Sequence, residues 1–145
     1  MELYHARVLE LAANIAYAKP LAHPRASATR VSRVCGSVIR VDLNLEGEVI
    51  TEIGMEVQAC ALGQAAAAVL AAHAIGAKAG EVRAARDGLE AMLRKGAAPP
   101  IGRFWELRHL EGVKDYPPRH ASTLLAFDAA VDALDIALHQ AMQPS

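Results

Sequence analysis

The 145-residue chain carries 15 basic and 16 acidic residues, a formal net charge of −1, and is 53% apolar but only 4% aromatic. That length suits one domain spanning residues 1–145, with an aliphatic, alanine-rich core that needs no staples. Balanced charge argues against nucleic acid or an anionic membrane as partner, and the composition argues against a disordered chain.

The opening stretch "MELYHARVLELAAN" mixes Glu2, Arg7 and Glu10 into its first turns, so no apolar leader core forms. Its Tyr4, Val8, Leu11 and Ile15, at steps of four and three, predict an amphipathic helix. Pro20 and Pro24 in "AKPLAHPRAS" end it. "SVIRVDLNL" and "EVITEIGMEV" then alternate with period two around Glu46-Gly47, which predicts a hairpin, and "ATRVSRVC" before them predicts a third strand. From Cys60 the pattern turns helical, with Leu62, Ala66, Val69 and Ile75 expected along one side and Gly76 as a stop. "AGEVRAARDGLEAMLRKG" predicts another helix, with Val82, Leu89 and Leu93 inward, a Glu90–Arg94 pair one turn apart, and Gly96 closing it. After the connector "AAPPIG", the segment "RFWELRHLEGV" reads as one or two short turns. Leu124, Phe127, Val131, Leu134 and Leu138 then predict a final amphipathic helix entered through Pro117 and Pro118. The order gives an α+β fold, a small antiparallel sheet covered by helices on one face. No run is long and apolar enough to cross a bilayer, since Gln64 and His73 interrupt the longest, Ala59 to Ile75.

Two cysteines in a chain with no export signal are expected to be reduced thiols or ligands, in the cytoplasm. Cys35 lies just before the first hairpin strand and Cys60 just after the second. A hairpin returns to its start, so the two thiols are expected near one another. Cys60 also opens a helix, whose N-terminus favours anions, including thiolates that hold a metal. The plainer alternative is a pair of buried small hydrophobes, because metal-finger spacings are absent. His120 and Ser122 fall at the entrance of the last helix. Sulfur and imidazole donors together suit zinc or an iron–sulfur cluster, although a lone histidine at a helix start is commonly a cap. His5, His23, His73, His109 and His139 form no ligand-spaced pair, and His73 is expected to be structural. A serine-hydrolase elbow and a phosphate-binding glycine loop are both missing from the sequence.

The stretch "CGSVIRVDLNLEGEVITEIGMEVQACALGQAAAAVL", followed by "ELRHLEGVKDYPPRH", resembles the U-type iron–sulfur cluster scaffold family: IscU, SufU and the N-terminal domain of NifU. The resemblance runs from about Tyr4 to Leu138 and places Cys35 and Cys60 on the family's first two ligand cysteines. Ser37 replaces the acid of the family's "CGD" motif. The third cysteine is absent; without gaps Ser122 occupies its position, and a one-residue slip would instead match His120 to the family's histidine. A hydroxyl is a hard donor that replaces a thiolate poorly at a soft site. The resemblance therefore implies a divergent, non-enzymatic scaffold that holds a labile iron–sulfur cluster, iron or zinc. Cys35, Cys60 and His120 would be its ligands, and Ser37 and Ser122 weak ones. It implies a cysteine desulfurase and apo-protein recipients as partners, and leaves a homodimer open. The alternatives are an adaptor or regulatory module that kept the fold without the cluster, and a zinc-containing sulfur-transfer protein.

Overall fold

A computed structural model describes residues 3–34 and 36–142. Helix α1 (Ala6–Ala13) leads to strands β1 (Ala26–Ser32), β2 (Ser37–Glu46) and β3 (Val49–Gln58). Helices α2 (Ala61–Ala74) and α3 (Ala79–Lys95) follow, then 3-10 segments Trp105–Asp115 and Pro117–Arg119, and helix α4 (His120–Met142). The α+β architecture expected from the sequence is present, including the third strand.

The sheet runs β1-β2-β3 with both pairs antiparallel. Ile39, Val41 and Leu43 of β2 are fully buried and line up with Ile53 and Met55 of β3 on the face that α4 covers. Strict alternation would send Ile50 and Ile53 to opposite faces. A bulge at Asn44/Leu45 absorbs one residue, and both isoleucines are buried. The hairpin turn is Gly47-Glu48 rather than Glu46-Gly47, because Glu46 pairs with Val49 and Gly47 takes the left-handed φ of 61°. On the opposite face the connector from α1 crosses at Gly54. A Cβ there would lie 2.5 Å from the Lys19 carbonyl oxygen and 2.8 Å from the Leu21 nitrogen. That crossing buries Asp42, whose carboxylate accepts bonds from the Leu21 amide (3.1 Å), the Ser27 hydroxyl (2.6 Å) and the Arg40 guanidinium (2.9 Å).

Helix α4 lies on β1 and β2 with α2 along one flank and α3 along the other. Helix α2 is nearly all small and apolar, buried from Leu62 through Ala74 except near Gln64, Ala72 and His73. Two expectations fail at the ends of the helical stripes. Tyr4 precedes α1 and is exposed, because α1 begins only at Ala6. Ile75 caps α2 in an extended conformation and turns outward at 41% exposure, while the Gly76 amide donates to the Ile50 carbonyl and the Ile50 amide to the Ala77 carbonyl, so that Ala77 joins the core. The inward triad Val82, Leu89 and Leu93 of α3 is buried, Glu90 and Arg94 approach to 3.9 Å, and Gly96 closes the helix in a left-handed turn. No helix among the described residues is long and apolar enough to cross a membrane.

Candidate functional site

At one end of the sheet Ser37 opens β2 opposite Ser32, and Val38 pairs with Gln58, two residues before Cys60. The β1–β2 connection and the start of α2 therefore share an end of the molecule, as a hairpin's return requires. Gly36 enters β2 with a φ of 68°, a conformation glycine takes without the Cβ clash. Cys35 lies outside the described residues. Ser37 is buried at 2% exposure as the first residue of the strand.

Cys60 is half-buried and forms the N-terminal cap of α2, extended at φ −66° and ψ 168°, with its carbonyl accepting the Gln64 amide at 2.9 Å. Its Sγ lies 3.7 Å from Ser122 Oγ on α4. Ser122 is fully buried, and its own hydroxyl donates to the Arg119 carbonyl at 3.2 Å. The thiol S–H thus faces a serine oxygen whose proton is already committed elsewhere. Thr123 beside it donates to the same carbonyl at 2.7 Å and ties the first turn of α4 to the Pro117–Arg119 segment.

His120, the first residue of α4, is 6% exposed. Its Nε2 meets the carbonyl oxygens of Val113 at 2.9 Å and Lys114 at 3.2 Å. Carbonyls only accept, so Nε2–H is the donor, and Nδ1 is the nitrogen that carries the lone pair whenever the ring holds a single proton. The ring therefore locks the end of the long 3-10 segment to α4, and Nδ1 is the nitrogen left for a ligand role. Of the residues singled out in the sequence, Cys60 and Ser122 touch, His120 stands two positions away on the same helix, and Ser37 lies at the same end of the sheet. No group of three potential ligands among histidine, cysteine and acidic side chains occurs among the described residues.

No family model and no curated protein matches the chain. The crystal structure of a nitrogen-fixing NifU-like protein (N-terminal) from Brucella abortus superimposes with a TM-score of 0.94 and is 45% identical, covering 95% of this chain and 96% of that one. The chain belongs to the NifU-like family. The family resemblance carried by "CGSV" and "ACALGQ" is thereby borne out. The same fold recurs in a Fervidobacterium islandicum AW-1 protein proposed as an iron–sulfur cluster assembly scaffold for the SUF system. That structure gives a TM-score of 0.84 at 20% identity, over 91% of this chain and 96% of its own.

Within this NifU-like chain, two features escaped the sequence reading. Gly63, in the first turn of α2, lets that helix approach the backbone of Ser122: a Cβ there would lie 3.0 Å from the Ser122 carbonyl oxygen. A glycine inside an alanine-rich helical run was the available signal. Glu106 is the other: it is 7% exposed and receives bonds from Arg7 of α1 and from His73 of α2 at 2.7 Å. Burial pushes its carboxyl up, but the bonds from His73 and Arg7 outweigh this and leave it below its ordinary value. His73 is thus held in a structural bond, as expected.

Proposed function

We propose that this protein is a non-enzymatic iron–sulfur cluster assembly scaffold of divergent type, with sulfur and iron as its cargo. Cys35 and Cys60 would receive that cargo, by their place in the NifU-like pattern. His120 Nδ1 is the further nitrogen donor, and Ser122 and Ser37 are weak oxygen donors. The observation that carries the reading is Cys60 at the helix cap, at the sheet end from which β2 starts, with its sulfur against the α4 residue at the third-cysteine position. A cysteine desulfurase as sulfur donor and apo-proteins as recipients follow from that role, and the cytoplasm is where reduced thiols would persist. Protein purified without oxygen is expected to contain iron and acid-labile sulfide, and a Cys35→Ala, Cys60→Ala double variant to contain neither. A double variant that binds iron or zinc as well as the natural chain overturns the proposal.

A second reading is favoured by the buried serine. Ser122 Oγ is a hard donor already bonded to Arg119 and Cys60, so one chain cannot offer three thiolates to a soft metal. On that reading the fold serves as an adaptor whose thiols carry no cluster, and the same preparation comes out colourless, metal-free and bound to a protein partner. Zinc without sulfide, together with persulfide on Cys35 or Cys60, would mark a zinc-containing sulfur-transfer protein instead.

A further inference from the structure

Gly63 sits one turn into α2, three residues past Cys60. A methyl built on it would lie 3.0 Å from the Ser122 carbonyl oxygen and 3.0 Å from the Ala59 Cβ. Ordinary contacts between such atoms are about 3.5–4 Å. Neither neighbour is the tip of a flexible side chain. One is backbone in the first turn of α4, and the other is a methyl fixed to the strand–helix junction. A side chain at 63 must therefore move the entrances of α2 and α4 apart by a few tenths of an ångström.

The carbonyl it would strike belongs to the residue whose hydroxyl meets the Cys60 sulfur. Because Ser122 Oγ is anchored to the Arg119 carbonyl, the hydroxyl travels with the α4 backbone and cannot swing to follow the thiol. An S–H···O contact at 3.7 Å is already long, so a further shift of that size releases it. We propose that Gly63 is a positioning residue: its missing side chain sets the Cys60–Ser122 spacing and thereby governs how readily the Cys60 sulfur reacts. The proposal rests on the reading of Cys60 as the sulfur-handling thiol, yet its test reads the thiol itself and not metal or sulfide content. A failed metal assay and a failed spacing test therefore remain distinguishable.

The test is alkylation of the full-length chain by iodoacetamide at one fixed pH, with the Cys60 peptide resolved from the Cys35 peptide by mass spectrometry. Gly63→Ala is expected to label Cys60 about threefold faster, the scale of one weak hydrogen bond lost. In a Ser122→Ala background the same substitution is expected to change nothing, since the bond it acts through is gone. Equal effects of Gly63→Ala in both backgrounds, or no effect in either, overturn the proposal. A second measurement keeps the natural glycine. In a Ser122→Cys variant treated with diamide, a disulfide between Cys60 and the introduced thiol is expected as the dominant product. Pairing of either thiol with Cys35 instead, or no crosslink, overturns the claim that the two positions are held at contact.

Discussion

Helix α4 is held on its two flanks by different physics. Toward α2 the contact is made of small and apolar groups: Gly63 against the Ser122 backbone, and an edge-to-face chain from His73 through Phe104 to Phe127, with ring centroids 6.2 and 5.6 Å apart. Toward α3 and the edge of β1, ion pairs are added to the apolar contact. Arg86 reaches Asp128 at 2.8 Å, Arg83 reaches Asp135 at 2.6 Å, and Arg30 grips Asp132. Dispersion and excluded volume fix a distance to tenths of an ångström, whereas an exposed ion pair tolerates a shift and is screened by salt. The thiol site lies on the flank where distance is fixed.

The largest break in this comparison is Phe127→Ala. Phe127 is fully buried, and its loss leaves a cavity against Phe104 on the apolar flank. Unfolding free energy is expected to fall by about 3–5 kcal/mol in urea titration, with the same loss at low and high salt. A loss under about 1 kcal/mol would mean that the α2 flank is no firmer than the charged one.

Glu106→Gln comes next, because it places one charged cluster inside the apolar region. The carboxylate joins Arg7 of α1 to His73 of α2 while only 10% of its side chain is exposed. Removing the charge is expected to cost about 1–3 kcal/mol near neutral pH. The folded carboxyl titrates below its ordinary value, so the unfolded chain binds a proton first as pH falls. The contribution is whole above the unfolded glutamate value of about 4.3 and disappears as pH drops through the lower folded value. The stability gap between the two proteins should therefore close on the acid side, which urea melts from pH 7 to pH 3 would follow. A gap that widens with acid would reverse the assignment.

These regions were not equally legible in the sequence. Period-two alternation gave β2 and β3, and the stripe through Leu124, Phe127 and Leu134 gave α4, because local periodicity reports which face is buried. The Asn44/Leu45 bulge, which brings Ile50 and Ile53 to one face, leaves no such trace. Glu106 gave no signal of its own in the sequence, since its partner Arg7 stands 99 positions away. Cys60 and Ser122 could be placed at two helix entrances, but their contact depends on how closely α2 and α4 approach. That approach is decided by the absence of a side chain at 63. The direction of the His120 ring was likewise hidden, being set by carbonyls of a 3-10 segment that the sequence marked only as one or two turns.

The finest test lies within the charged flank. Asp128 is 18% exposed and bonded to an Arg86 that also holds Glu90 at 3.0 Å, so its pair works in a partly dry network. Asp135 is 56% exposed and its pair with Arg83 stands in water, despite the shorter distance of 2.6 Å. If distance ruled, Arg83→Ala would be the costlier change. Solvent rules instead: water screens the Arg83 pair, and ordering two long side chains offsets most of what remains. Asp128→Asn is therefore expected to lower stability by about 1 kcal/mol, because the buried part of the Arg86 network loses its charge partner. Arg83→Ala is expected to change it by less than about 0.5 kcal/mol. Urea melts of both variants at 20 mM and 500 mM salt, roughly 20 and 4 Å of screening length, decide the matter. Under solvent control the small Arg83 effect vanishes at high salt while most of the Asp128 effect survives, and the opposite order would show that contact distance sets the strength of these pairs.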